Sequence, residues 1–161
     1  MSSDLLALGA LAVELSEHMG WPLLAEPTSQ ARGAASVLPR YAELLDAPAG
    51  STLAARATHA VVLGHPSLSR AIGALLARTD LDIIVLAERA RITDVAGTAT
   101  RLQPWAPGRD QAARRHQARH VAQALGVGPA GADWARAWRS AVAALPVFSI
   151  RRNFKLRLSD R

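Results

Sequence analysis

The chain has 161 residues, half of them hydrophobic, a formal charge of +6 and no cysteine. This is room for one core, excludes disulfides and thiolate metal sites, and leaves no apolar run near the ~20 residues that span a bilayer. Lys155 is the only lysine, and the four tryptophans do not alternate with basic residues. The charge is therefore not patterned as a base-stacking surface, and nucleic acid is not an expected partner.

Ser3 or Asp4 caps a first predicted helix with Leu8, Leu11, Ala12, Leu15 and Met19 on one face, and Gly20 ends it. Leu5–Val13 is too short to cross a membrane, and Asp4 stands where a signal peptide carries basic charge, so a cytoplasmic location is expected. Trp21–Ala25 reads as a short strand, "EPTSQARG" as a loop, and a helix starting at Pro39 carries Tyr41, Leu44 and Leu45 up to Pro48. Residues 49–56 read as a linker.

The central stretch, 59–103, is the most strongly patterned. Ala60–Leu63 and Asp82–Leu86 are short apolar runs of the kind buried on both faces of a parallel sheet. Between them, Ser67 is read as the cap of a helix with Leu68, Ile72, Leu75 and Leu76 in one stripe. Together they make a βαβ unit. "ERARITDVAG" is a loop and Thr98–Gln103 a further short strand.

From Pro104 the texture changes. Arg109–Leu125 is a basic helix with Ala118, Val121, Ala122 and Leu125 as its apolar stripe. Asp133 caps a second helix, with Trp134, Ala137, Trp138, Ala141, Val142 and Leu145 on one face. His116 and His120 stand i, i+4, but Arg115 and Arg119 beside them repel a cation, so they read as a solvated face. "GVGPAG" follows a helix and holds Pro129, so it reads as a helix–helix loop and not a phosphate cradle. In the tail, 147–161, Phe154, Leu156 and Leu158 alternate with Lys155 and Arg157, the pattern of a half-buried strand that would dock on the sheet. No nucleophile–base constellation, and so no catalytic residue, is visible.

The stretches "GWPLLAEPTSQARG" (20–33), "LPRYAELLDAP" (38–48), "VVLGHPSLSRAIGALLAR" (61–78) and "ITDVAGTATR" (92–101) resemble the middle domain of the MenD-type synthases of menaquinone biosynthesis. With a weaker match at "ADWARAW", the resemblance covers roughly residues 5–145. These are 2-succinyl-5-enolpyruvyl-6-hydroxy-3-cyclohexene-1-carboxylate synthases, thiamine-diphosphate-dependent transferases. They add a succinyl-semialdehyde unit from 2-oxoglutarate to isochorismate. The resemblance implies a three-layer Rossmann-like α/β domain on a mostly parallel sheet. That domain would lack its first strand and would lie between a pyrimidine-binding and a diphosphate-binding domain in the full-length family. The stretch 109–131 and the tail depart from the family pattern.

The expected organisation is an incomplete α/β middle domain over 1–103, a helical appendage over 104–146 and an atypical basic tail over 147–161. The chain is expected to be a fragment or stand-alone domain, not catalytic alone. Thiamine diphosphate and Mg²⁺ belong to the full-length family, and no cofactor or metal is expected on this chain. Companion thiamine-diphosphate-binding domains or self-association would supply its partners. The alternative is a non-catalytic anion-binding or regulatory module for an acidic small molecule, and behind it stands a nucleic-acid binder using the basic helix and tail. The module's expected binding residues are Arg70, which the family places facing the active site, with His65, Arg91 and Arg32 near the strand ends and the 26–33 loop.

Overall fold

The computed structural model describes residues 3–88, 94, 96–105 and 110–146, among which three strands form one sheet. The strands are β1 (His59–Leu63), β2 (Asp82–Glu88) and β3 (Arg101–Trp105), all parallel, in the order β1-β2-β3. The register pairs Ala60 with Ile83, and Val85 with Leu102. β2 is central because Ile83, Ile84, Val85 and Leu86 are apolar without alternation, which suits a strand covered on both faces.

The two faces are covered by different helices. Ile83 and Val85 pack with Tyr41 and Leu44 of α2 (Tyr41–Asp46), Leu53 of α3 (Pro48–Ala55), Ile72 and Leu76 of α4 (Arg70–Leu76) and Trp138 of α6 (Ala132–Ala143). Ile84 and Leu86 pack with α1 (Ser3–Met19) and α5 (Gln111–Leu125). On α1 the buried Leu11, Leu15 and Met19 are spaced i, i+4, i+8, one stripe of a helix. Ala118, Val121, Ala122 and Leu125 of α5 answer it, the two alanines allowing close approach, and Glu14 pairs with Arg115 at the rim. The stretch beyond residue 103, expected as an appendage, thus contributes side chains to both cores.

The first helix ends as expected at Gly20, whose φ of +64° suits glycine. Asp110 caps α5, its carboxylate accepting from the Ala113 N–H at 2.8 Å. Several expectations are corrected. Residues 49–56 are not a linker: Pro48 occupies the first turn of α3, where its missing N–H costs nothing. Trp21–Ala25 forms a single parallel bridge, Leu23 to Val37, and not a strand. α4 starts later than expected because Ser69, not Ser67, is its cap, accepting from the Ile72 N–H, and Leu68 is left 58% exposed outside the stripe. α2 begins at Tyr41 after Arg40, which has a left-handed φ of 54°. α6 is preceded by Gly131, not capped by the Asp133 side chain. The third strand lies at 101–105, displaced from 98–103. Most of the loop following Glu88, and the tail from 147 onward, lie outside the described residues. No described helix is long and apolar enough to cross a membrane.

Candidate functional site

The feature that stands out at the C-terminal ends of the strands is a carboxylate that no local pattern announced. β1 ends at Leu63, and Gly64 turns the chain with a φ of +82°. The backbone N–H groups of Ser67, Leu68 and Ser69 then converge on Glu26, donating to its two carboxylate oxygens at 3.0, 3.0 and 2.9 Å. Glu26 is only 7% exposed. A buried carboxylate is tolerated when its oxygens are satisfied by charge-assisted hydrogen bonds, and here three donors do so. Tyr41 stands over the same turn: burial raises its hydroxyl above the usual phenol range, a hydrogen bond with Ser69 opposes that, and Glu26 and Arg32 act on it through charge.

The expected anion-binding residues sit around this turn. His65 is exposed within it, Arg70 is the exposed first residue of α4, and Arg32 is exposed in a turn at 30–33, within electrostatic reach of Tyr41. Arg91 lies outside the described residues. The structure therefore places Arg32, His65 and Arg70 at one end of the sheet. The N–H donors that an incoming anion would use are already taken by Glu26. His116 and His120 are exposed on α5, on the opposite layer from α4.

Glu26 was out of reach of sequence reasoning because it lies 41 to 43 residues from its donors. The one signal was its place next to Pro27, ahead of a turn-rich stretch.

A cavity of about 740 Å³ borders the same region. One bank is Trp21–Glu26 and the other Ala57–Pro66, with α1 (Ala12, Leu15) and α6 (Trp134, Trp138) lining it as well. Trp134 and Trp138 meet edge to face, centroids 5.8 Å apart, and Arg56 lies over Trp134.

Parallel strands between helix-lined faces, with polar groups gathered at the C-terminal strand ends, define an α/β domain, and in open sheets of this class ligands collect at that edge. The chain is similar to the 2-succinyl-5-enolpyruvyl-6-hydroxy-3-cyclohexene-1-carboxylate synthase of Kineococcus radiotolerans, 42% identical over 100 residues, covering 62% of this chain and 18% of the relative. It is similar to the synthase of the same name from Nocardioides sp., 46% identical over 72 residues, 45% of this chain and 13% of the relative. A third, from Leifsonia xyli subsp. xyli, is 42% identical over 83 residues, 52% of this chain and 14% of the relative. The resemblance to the MenD-type synthases read from the sequence is therefore shown, over about half of the chain. The chain spans 13–18% of the length of these relatives. No family model matches the chain, and no solved structure matches it significantly.

Among the described residues no three His, Asp or Glu side chains gather to hold a cation, and the convergent N–H donors before α4 are filled by Glu26.

Proposed function

We propose that this chain is the middle domain, or a fragment of it, of a MenD-type menaquinone-biosynthesis synthase, acting as scaffold and interface and not as a catalyst by itself. The observation that carries the reading is the 42% identity with the Kineococcus radiotolerans synthase sustained over 100 residues. The parallel sheet with helices against both faces supports the three-layer, doubly wound arrangement that such a domain would have. In this reading the chain is a cytoplasmic transferase domain. Companion domains hold the thiamine diphosphate and Mg²⁺, and the Glu26-braced turn presents His65 and Arg70 toward them. Isothermal titration of the chain with thiamine diphosphate and Mg²⁺, together with a carboligation assay on 2-oxoglutarate and isochorismate, tests it. No heat of binding and no product are expected; micromolar cofactor affinity would overturn it.

A second reading, an anion-binding module, is favoured by one observation: Arg32, His65 and Arg70 are all exposed at one end of the sheet. An acidic small molecule would then bind weakly, and Arg70→Ala should weaken that binding further in a titration followed by NMR. Against it stands Glu26, whose carboxylate fills the N–H donors.

A further inference from the structure

Ala60–Leu63 of β1 are as apolar as Ile83–Leu86 of β2 and yet less covered. The β2 residues are at most 2% exposed, whereas all five residues of β1 are only half-buried. The cavity of about 740 Å³ accounts for the difference, for its lining includes every residue from Thr58 to Pro66 and from Trp21 to Glu26. Along the five residues of β1 alone it extends about 17 Å. Trp21, Leu23 and Leu24 are likewise half-buried against it. Close-packed interiors leave few voids larger than a water molecule, whereas a volume of this size is that of a small-molecule pocket.

The lining sets the chemistry of the occupant. Polar side chains stand at the two ends, Thr58 and His59 at the start of β1, Glu26 and His65 at the turn that follows it. Between them the side chains of Leu23, Leu24, Val61 and Leu63 offer no hydrogen-bond partner, so ordered water, which takes two to four, is poorly held there. At the first end the Thr58 hydroxyl meets His59 Nδ1 at 2.8 Å and keeps capacity for one further bond. At the other, the buried Glu26 carboxylate repels a second anion across walls that screen little. A cation fares no better, since it would give up its water for a carboxylate whose oxygens already hold three N–H donors. The chemistry that remains is neutral, long and largely apolar.

We propose that this cavity binds a neutral, elongated aliphatic molecule with one polar end, of the class of a long-chain alcohol. The chain lies along β1 against Val61 and Leu63, and the hydroxyl end meets Thr58. Arg56, two residues before Thr58, lies over Trp134, which puts the edge-to-face pair of Trp134 and Trp138 beside that end as a broad apolar wall. Such a ligand is independent of the synthase reading and, being neutral, is not that of the anion-binding module.

Dye displacement on the full chain tests it. N-phenyl-1-naphthylamine, a neutral dye that brightens in apolar surroundings, should bind saturably, and 1-decanol should displace it. Decanoate and decylammonium, with the same chain and a charge of either sign, should displace it at least roughly tenfold less well. In Ala60→Phe, whose added ring takes up part of the cavity, the dye affinity should fall roughly tenfold or more. Because that variant can unfold the chain, NMR of the unmodified protein gives a second readout. Nuclear Overhauser contacts should join decanol to the methyl groups of Val61, Leu63 and Leu24. Absence of saturable dye binding would overturn the proposal, as would undiminished binding in a folded Ala60→Phe. So would displacement by decanoate as good as by decanol, which would assign the cavity to an anion, or decanol contacts confined to the exposed Leu68.

Discussion

Glu26 is a single side chain on which a whole turn depends. Removing its carboxylate leaves three N–H groups at Ser67, Leu68 and Ser69 without their acceptor. Glu26→Ala should therefore lower the unfolding free energy by roughly 2–4 kcal/mol, since an orphaned buried donor costs more than a made bond contributes. Glu26→Gln retains one oxygen and sets an NH₂ group against a backbone N–H, so about half that loss is expected. Urea titration of the three proteins separates these outcomes, and equal stability of Glu26→Ala and the unmodified chain would show that the turn does not need its acceptor.

At the scale of elements, two glycines make opposite predictions. A Cβ at Gly50 would collide with the Leu44 carbonyl where α3 crosses the end of α2, whereas one at Gly73 in α4 would meet nothing within 4 Å. Gly50→Ala should cost about 2–4 kcal/mol through overpacking, and Gly73→Ala should stabilise by about 0.5–1 kcal/mol through helix propensity. Thermal denaturation of both reads the contrast directly.

Arg78 ties elements in another way, donating to the Ala54 and Ala57 carbonyls at the end of α3 and to both oxygens of Asp80. Its loss in Arg78→Ala should cost ~1–3 kcal/mol, measured by urea denaturation. The hydrogen bond from Arg78 holds the Asp80 carboxyl below its ordinary value. A lowered folded-state value contributes stability above the unfolded carboxylate range, and that contribution is lost as pH falls through the folded value. The melting temperatures of the parent and Asp80→Asn should accordingly differ near neutrality and converge below about pH 4. Asp80 is exposed, so the gap should be small and shrink with added salt.

For the molecule as a whole, the expected boundary at residue 103 has a testable consequence. Trp138 of α6 sits in the core with Ile83, and α5 closes the core around Ile84. Far-ultraviolet dichroism and tryptophan fluorescence should therefore report one coincident unfolding transition, whereas two separated ones would mark the stretch beyond residue 103 as an independent unit. Much of this architecture was legible in the sequence where the pattern was local. Ala60–Leu63 and Asp82–Leu86 are apolar runs with only one plausible role, and Gly20 is an unambiguous helix end. It was illegible where one residue type serves two purposes or the partners are distant. Pro48 can stop a helix or start one, and Ser67 and Ser69 compete for one cap. Of the candidate site, Arg32 and Arg70 could be named through the family resemblance and His65 from its place just after the first strand. Glu26, which organises that turn, could not, because no periodicity links it to its donors.

The pairing of α1 with α5 also has a consequence in time. Glu14 meets Gln111 and Arg115 across 97 and 101 residues of chain, so the two helices are among the most distant partners in sequence. During synthesis at ~5–20 residues per second, the stripe of Leu11, Leu15 and Met19 waits on the order of 5–20 s for α5 to emerge. Throughout that interval α1 exposes its apolar face. The nascent chain is then open to chaperones, and to wrong partners, along this stripe until α5 arrives.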